Sequence, residues 1–379
     1  MIFPTLFKKA KTGKIQEWTI TTEGNQIITL HGVCDGTFQK AVKVAKGKNI
    51  GKKNETSDEQ QAILNAQSMW NKKRDKGYFE SIEEAKTKTV FLPMLATDML
   101  KMTSKSVKGI WEKSPYSQPY LQPKMDGVRC LARWNNGKIQ LLSRGGKEYH
   151  LKHIETKLES ILNDKQVLDG ELYIHGLPRQ DIQALVKKWR DEEYQETGYS
   201  SKDVQFWIYD SFYTNSLDTS FEERLKFFKP IFNQKEIKIV PTVKCKSEKN
   251  FTKFHKHYIE WGFEGTILRK PDGAYELGHR SRNLIKYKDF MDDEFEVVGS
   301  KDGEGKFKGC VIWKCKLPNG GTVDVTPKGS LKQKKKWFKE AEKYIGKLLT
   351  VKFQGYTKDG NLEFPTGIAF RLSEDMDNV

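Results

Sequence analysis

Apolar residues change their spacing along this chain, and the changes divide it into three parts. Near the N-terminus, Ile15 to Ile20 and Ile27 to Leu30 alternate with polar positions around Glu23-Gly24-Asn25, which predicts a β-hairpin. A glycine-rich bend, His31-Gly32-Val33-Cys34-Asp35-Gly36, precedes a lysine-bearing strand from Phe38 to Lys46. From Ser57 to Lys73 the period becomes helical. Ser57 and Gln60 stand at capping-box spacing, Asp58 and Glu59 suit a first turn, and Ala62, Leu64, Ala66, Met69 and Trp70 supply the expected apolar stripe. The middle of the chain has short β-rich apolar runs, among them Val167-Leu168, Phe206-Trp207-Ile208-Tyr209 and Gly265-Thr266-Ile267-Leu268. Helical segments are predicted between them at Gln180 to Trp189, Phe221 to Phe232 and Phe251 to Trp261, the last stopped by Gly262. In the last part, Glu294 to Gly299, Val311 to Leu317, Gly321 to Thr326, Leu348 to Gly355 and Leu362 to Phe364 alternate as strands, with one basic helix from Leu331 to Ile345. The expected architecture is α+β: a small domain over 1–88, an antiparallel-sheet block over 89–289 and a small barrel over 290–379.

Composition narrows the partners. The chain has 379 residues, 37% hydrophobic and 12% aromatic, enough for several packed cores. Its net charge of +16 points to a polyanion. The excess is spread: 16 Lys+Arg against 10 Asp+Glu over residues 1–90, 34 against 26 over 91–289, and 16 against 14 over 290–379, that is +6, +8 and +2. Lys332, Lys334, Lys335, Lys336 and Lys339 form either a phosphate-facing stripe or a solvated helix face. The five cysteines show no Cys-x-x-Cys pair, so neither a zinc site nor a disulfide framework is indicated. The N-terminus does not read as a signal peptide and no apolar run approaches a membrane span, which makes a cytoplasmic location the expectation.

The candidate chemistry centres on Lys124-Met125-Asp126-Gly127-Val128-Arg129. A lysine amine can displace pyrophosphate from a nucleoside triphosphate and keep the nucleotide as a phosphoramidate. Alone, Lys-x-Asp-Gly-x-Arg also reads as a charged strand running into a turn. Three further segments follow in order. Leu168-Asp169-Gly170-Glu171-Leu172 and Glu264-Gly265-Thr266-Ile267-Leu268-Arg269 each set an acid on a strand, and Leu284-Ile285-Lys286-Tyr287-Lys288 puts two lysines at period two on one strand face. A nucleophilic amine, acids for a divalent cation and cations for a transferring phosphate make up a nucleotidyl-transfer set.

On these residues the chain resembles the covalent nucleotidyltransferase superfamily of ATP-dependent polynucleotide ligases and mRNA capping enzymes. It is most similar to the compact DNA ligases of bacteriophages and large DNA viruses, over roughly residues 90 to 379. Ser143-Arg144 resembles the family's second signature, and Phe206-Trp207-Ile208-Tyr209-Asp210 its aromatic nucleoside strand. Phe364-Pro365-Thr366-Gly367-Ile368-Ala369-Phe370-Arg371 resembles its closing segment, although many members end Arg-x-Asp-Lys and here Leu372-Ser373-Glu374-Asp375 follows Arg371 without a lysine. The resemblance implies a nucleotidyltransferase (adenylation) domain followed by an OB-fold barrel. It makes Lys124 the nucleophile and sets Lys286 and Lys288 on the α-phosphate. Glu171 and Glu264 match acids that hold ribose or metal, and Asp126 an acid used when the 3′-hydroxyl attacks. Arg129 and Arg144 match contacts to ribose and the nick 5′-phosphate, Tyr209 an aromatic ring on adenine, and Arg371 a nucleotide contact. ATP and magnesium (or manganese) are the implied cofactors and nicked double-stranded DNA the implied partner of a monomer. The reaction implied is nick sealing through lysyl-AMP, with an RNA ligase or a GTP-dependent capping enzyme as alternatives sharing the first step. The first 88 residues weakly resemble the DNA-binding WGR domain of poly(ADP-ribose) polymerases, in the Gly-x-x-x-Gly bend and in Lys72-Lys73-Arg74-Asp75-Lys76-Gly77-Tyr78. His31 and Val33 replace that family's usual tryptophan and arginine.

Overall fold

The predicted hairpin forms and runs beyond its apolar core in both directions. In the computed structural model, which describes residues 1–10, 12–87, 91–112, 118–187, 197–228, 234–357 and 359–371, strand β1 (Leu6–Lys9) is followed by β2 (Ile15–Glu23) and β3 (Gln26–Val33). Glu23 faces Gln26 across a two-residue turn, where Gly24 takes the left-handed φ of 53° that such turns require. Adding β4 (Gln39–Val44) gives a four-stranded antiparallel sheet in the order β1-β2-β3-β4. Helix α1 (Asp58–Arg74) packs on one face, and its capping box is present as expected: Gln60 N–H donates to Ser57 Oγ, and the Gln60 side chain accepts from Ser57 N–H. Ala62, Ala66 and Trp70 meet Trp18, Ile20 and Ile27 in the core, whereas Leu64, expected in the stripe, lies 55% exposed. It sits about 200° around the helix from Ala62, on the solvent side of the stripe. A short helix α2 (Ile82–Thr87) follows.

Two larger sheets come next. Their elements, in chain order, are β5 (Leu95–Asp98), α3 (Ser104–Trp111), β6 (Tyr120–Lys124), β7 (Val128–Asn135), β8 (Lys138–Ser143) and β9 (Glu148–Tyr149). Then follow α4 (Lys152–Glu159), β10 (Gln166–Tyr173), α5 (Arg179–Lys187), β11 (Gln205–Tyr213), α6 (Phe221–Phe228), β12 (Ile237–Ile239) and β13 (Val243–Lys244). Helix α7 (Glu248–Glu260), β14 (Gly265–Arg269) and β15 (Arg280–Tyr287) complete the block. One sheet has the order β12-β11-β10-β7-β8-β9 and the other β13-β6-β14-β15-β5. Only the β11–β12 pair is shown parallel, and β10 lies antiparallel between β7 and β11, as expected for an α+β block. The predicted helices agree within a few residues, except that Trp189 and residues 229–232 lie outside the described ones.

The C-terminal strands β16 (Met291–Asp302), β17 (Val311–Lys316), β18 (Thr322–Pro327), β19 (Leu348–Phe353) and β20 (Thr366–Phe370) close a barrel in the order β16-β17-β18-β20-β19 around Phe295, Trp313, Val325 and Phe353. Helix α8 (Leu331–Lys339) is shorter than the predicted Leu331 to Ile345, because the chain tightens into a 3-10 turn at Ala341–Tyr344. The fifth strand is also not where alternation put it. Leu362 makes only an isolated bridge to Tyr356, and Phe364 takes a left-handed φ of 53° with its ring 73% exposed. That break ends any strand before Pro365, and the pairing strand starts at Thr366. By internal contacts the chain forms two units, Met1–Phe263 with Ile267–Ile285, and Glu264–Thr266 with Lys286–Val379.

Candidate active site

Lys124 ends strand β6, and the chain then turns tightly into β7. The turn depends on Gly127. A Cβ there would stand 2.6 Å from the Leu172 carbonyl oxygen and 2.7 Å from Glu171 Cγ. The glycine therefore lets the lysine-bearing turn press against the β10 segment that carries the acid. Lys124 is half-buried and Asp126 exposed. Lys124 is close enough to Glu171 for its charge to act on that carboxyl.

Strand β10 supplies two acids on one face, Asp169 and Glu171, with Gly170 between them pointing the other way. A Cβ on Gly170 would meet the Trp207 carbonyl at 2.4 Å. The pairing of β10 with β11 skips there: Asp169 faces Asp210 and Gly170 faces Ile208, so Tyr209 is the extra residue of a β-bulge. Removed from the ladder, the Tyr209 carbonyl accepts from Gln122 Nε2 at 2.9 Å, and its hydroxyl donates to Glu171 Oε2 at 3.3 Å. Arg129, opposite Glu171 in register, reaches diagonally to Asp169 with Nε and Nη2 at 2.7 and 2.5 Å. Its guanidinium also lies 5.1 Å from the Tyr209 ring centre. Tyr275 donates to the same Asp169 at 2.6 Å.

A second buried network braces the bulge. Asp210 accepts from Arg224 at 2.9 and 3.0 Å and from Arg269 at 2.6 Å, and Arg269 Nε donates to Gln122 at 2.6 Å. Burial pushes Asp210 upward, but the two guanidiniums outweigh it and hold the carboxyl below its ordinary range. Glu171 behaves in the opposite way. Burial dominates over the cations Arg129 and Lys124, and its carboxyl is pushed up to about 7.

Arg144 stands exposed in the turn after β8, with Gly146 in a left-handed conformation. Partial burial and the charges of Arg129, Arg280 and Arg179 lower its pKa, which marks a four-guanidinium patch. In the second unit, Lys288 pairs with Glu264 at 2.5 Å and donates to Gln354 at 3.0 Å, while Lys286 is half-buried near the end of β15. Gly265 permits this, since a Cβ would stand 2.3 Å from the Tyr287 carbonyl. Arg371, in the same unit, donates to Glu294 at 2.7 Å.

Thus Lys124, Arg129, Glu171 and Tyr209 come together in one unit, and Glu264 with Lys288 in the other. Sequence reasoning gave no role to Asp169, Asp210, Gln122, Arg179, Arg224, Arg269, Tyr275 or Arg280. Asp210 carried one legible signal: it falls on the inward phase of β11 with Phe206 and Ile208, where a carboxylate needs a cation.

The fold and this constellation define a nucleotidyltransferase module followed by a small barrel. Residues 93–288 match the ATP dependent DNA ligase domain, and residues 302–371 the DNA ligase OB-like domain. The DNA ligase of African swine fever virus is 30% identical over 363 residues, covering 86% of this chain and 82% of the viral one. The multifunctional non-homologous end joining DNA repair protein LigD of Mycobacterium tuberculosis is 25% identical over 197 residues, covering 50% of this chain and 24% of that protein. Among solved structures, Pmar-Lig_PreS3 has a similar fold at 24% identity and a TM-score of 0.62, covering 75% of this chain and 68% of the other. A Lig E DNA ligase has a similar fold at 22% identity and a TM-score of 0.55, covering 75% of this chain and all of the other. The chain belongs to the ATP-dependent DNA ligases. Among the described residues no helix is long and apolar enough to cross a membrane.

Proposed function

We propose that Lys124 is the nucleophile of this ligase. Its amine gives up a proton and attacks the α-phosphorus of ATP, a P–N bond forms, and the bond to pyrophosphate breaks. AMP then passes to a 5′-phosphate at a nick in duplex DNA, regenerating the amine. The adjacent 3′-hydroxyl displaces AMP and seals the strand. The observation that carries this reading is the seating of Lys124 beside Glu171 and the Arg129–Asp169 pair, on a turn that only Gly127 allows. In this reading Lys286 and Lys288 bind the α-phosphate and Tyr209 lies against the nucleoside. Arg129 and Arg144 contact ribose and the 5′-phosphate, Asp126 acts in the last step, and Arg371 contacts the nucleotide. The enzyme acts as a monomer on nicked double-stranded DNA, in the cytoplasm of a host cell if its source is viral. Its domains are 1–88, 89–289 and 290–379.

Magnesium fits the donors present. Among the described residues no three metal-ligating side chains cluster, so no all-protein cage exists. Magnesium is commonly held by one or two carboxylates plus substrate phosphates, which Glu171 and Glu264 would supply. When bound, the ion neutralises phosphate charge at the reacting centre.

Incubation with α-labelled ATP or GTP, followed by denaturing electrophoresis, tests the nucleophile. Label from ATP on wild type, absent from Lys124→Ala, is expected. Label retained by the variant would remove Lys124 from this role, and label from GTP alone would favour capping chemistry.

A further inference from the structure

The end of α1 gathers lysines that nothing in the adenylation chemistry uses. Gly77 takes a left-handed φ of 79°, its N–H donates to the Arg74 carbonyl at 2.8 Å, and Tyr78 N–H donates to the Lys73 carbonyl at 3.3 Å. These are the paired bonds of a Schellman close, which folds the chain back so that Tyr78 lies under Lys73. Next to it Phe79 and Phe7 exchange both backbone hydrogen bonds, at 2.7 and 2.8 Å, and so bring β1 alongside. Lys8 on β1 thereby faces the same ring. The Lys73 ammonium stands 4.5 Å from the Tyr78 ring centre and 5.0 Å from that of Trp18, and the Lys8 ammonium 5.6 Å from that of Tyr78. Lys8 also donates to the Lys76 carbonyl at 2.7 Å, and Tyr78 is fixed from behind by Gln16 at 3.2 Å.

Three ammoniums from two elements therefore converge on one aromatic floor. Among the described residues none of the three has a carboxylate within ion-pair distance; the nearby Arg74 takes Glu80 at 3.3 Å. Burial, and then the charges of Lys76 and Lys8, lower the pKa of Lys73, and burial and Lys76 lower that of Lys8. A cation at a helix C-terminus complements the dipole, which accounts for Lys73 but not for Lys8 coming in from a strand. Like charges held together at partial burial cost free energy unless an anion joins them.

We infer that Lys8, Lys73 and Lys76, over the Tyr78 ring, form a site for a backbone phosphate of duplex DNA away from the nick. The cluster presents ammonium donors and no base-reading amide or guanidinium, so the contact is independent of sequence. The first 90 residues carry +6, and the family acts on a polymer long enough to reach a second anchor. The inference rests on the ligase reading only for the choice of polymer.

The test uses the full chain and a labelled nicked duplex ending in a dideoxynucleotide at the 3′ side, read by fluorescence anisotropy across salt. The Lys8→Met/Lys73→Met double variant should bind about tenfold more weakly, with a salt slope shallower by about two, one for each phosphate charge lost. Without DNA its Tm should be unchanged or higher, because the repulsion is relieved, and a Lys8→Arg/Lys73→Arg variant should bind as wild type. AMP transfer to Lys124 should be the same in all three, which separates this inference from the proposed chemistry: loss of labelling in wild type would sink the latter alone. Unchanged affinity and slope would overturn the duplex site. So would weaker binding accompanied by a lower Tm and not restored by arginine. Inorganic phosphate that raised the wild-type Tm but not the variant's, with DNA affinity equal in both, would assign the cluster to free phosphate and overturn it too.

Discussion

Tyr209 donates to Glu171 and Asp169 occupies the guanidinium of Arg129, so burial is left as the largest influence on the Glu171 carboxyl. That sets a measurable pH dependence. The folded value of about 7 lies above the ordinary 4.5. The folded state therefore holds this proton more tightly than the unfolded chain. Its contribution to stability is complete below the ordinary value and is lost as pH rises through the folded one. The ceiling is about 3 kcal/mol from 1.36 kcal/mol per unit. Urea unfolding of the nucleotide-free protein at pH 5 and pH 8 should show the loss in wild type, while Glu171→Gln should be nearly flat and more stable at the higher pH. Equal slopes in the two proteins would contradict this. The acid itself was legible because its motif is local. Asp210 and Asp169 were visible in the same segments, but their partners were not, since Tyr275 is 106 positions from Asp169 and Arg269 is 147 from Gln122. Such pairings are decided by how strands stack, which no local spacing carries.

At the scale of elements, short-range rules did well where the controlling contacts are short-range. The Ser57–Gln60 box and the Gly24-Asn25 turn needed only their own neighbours. Alternation failed at Leu362 to Phe364, because three residues of pattern cannot register that Phe364 leaves the β region. The bulge at Tyr209 was equally invisible, although it takes the tyrosine out of the ladder and frees its carbonyl for Gln122. Glycines in the motifs were legible as bends, but their cause is close approach rather than a turn: at Gly127, Gly170 and Gly265 a Cβ would meet a backbone carbonyl at 2.6, 2.4 and 2.3 Å. The strand partners cannot yield without losing ladder bonds. Gly127→Ala should accordingly cost about 1–3 kcal/mol by overpacking. It should also displace Lys124 from Glu171, so urea unfolding and ATP labelling should fall together. A variant that labelled at the wild-type rate would show that the close approach does not set the lysine.

For the whole molecule, charge is the property that adds along the chain, and it was read without knowing any fold. The surplus of +6, +8 and +2 over successive segments spreads cations over all three, in place of a single basic tail. A spread surplus has a consequence that a single basic tail does not. ATP meets only the few charges of the adenylation site, whereas a DNA duplex meets phosphates along its length and releases a counterion at each contact. The two halves of the reaction should then separate with salt. AMP labelling of Lys124 should change little between about 50 and 200 mM NaCl, while sealing of a nicked duplex at enzyme below its dissociation constant should fall about a hundredfold or more, the loss expected when several phosphate contacts are given up together. Pre-labelled enzyme, assayed in a single turnover at both salts, isolates the DNA-dependent half. If sealing and labelling fell by the same factor, salt would be acting on the nucleotide site or on the fold, and the distributed surplus would have no part in holding the duplex.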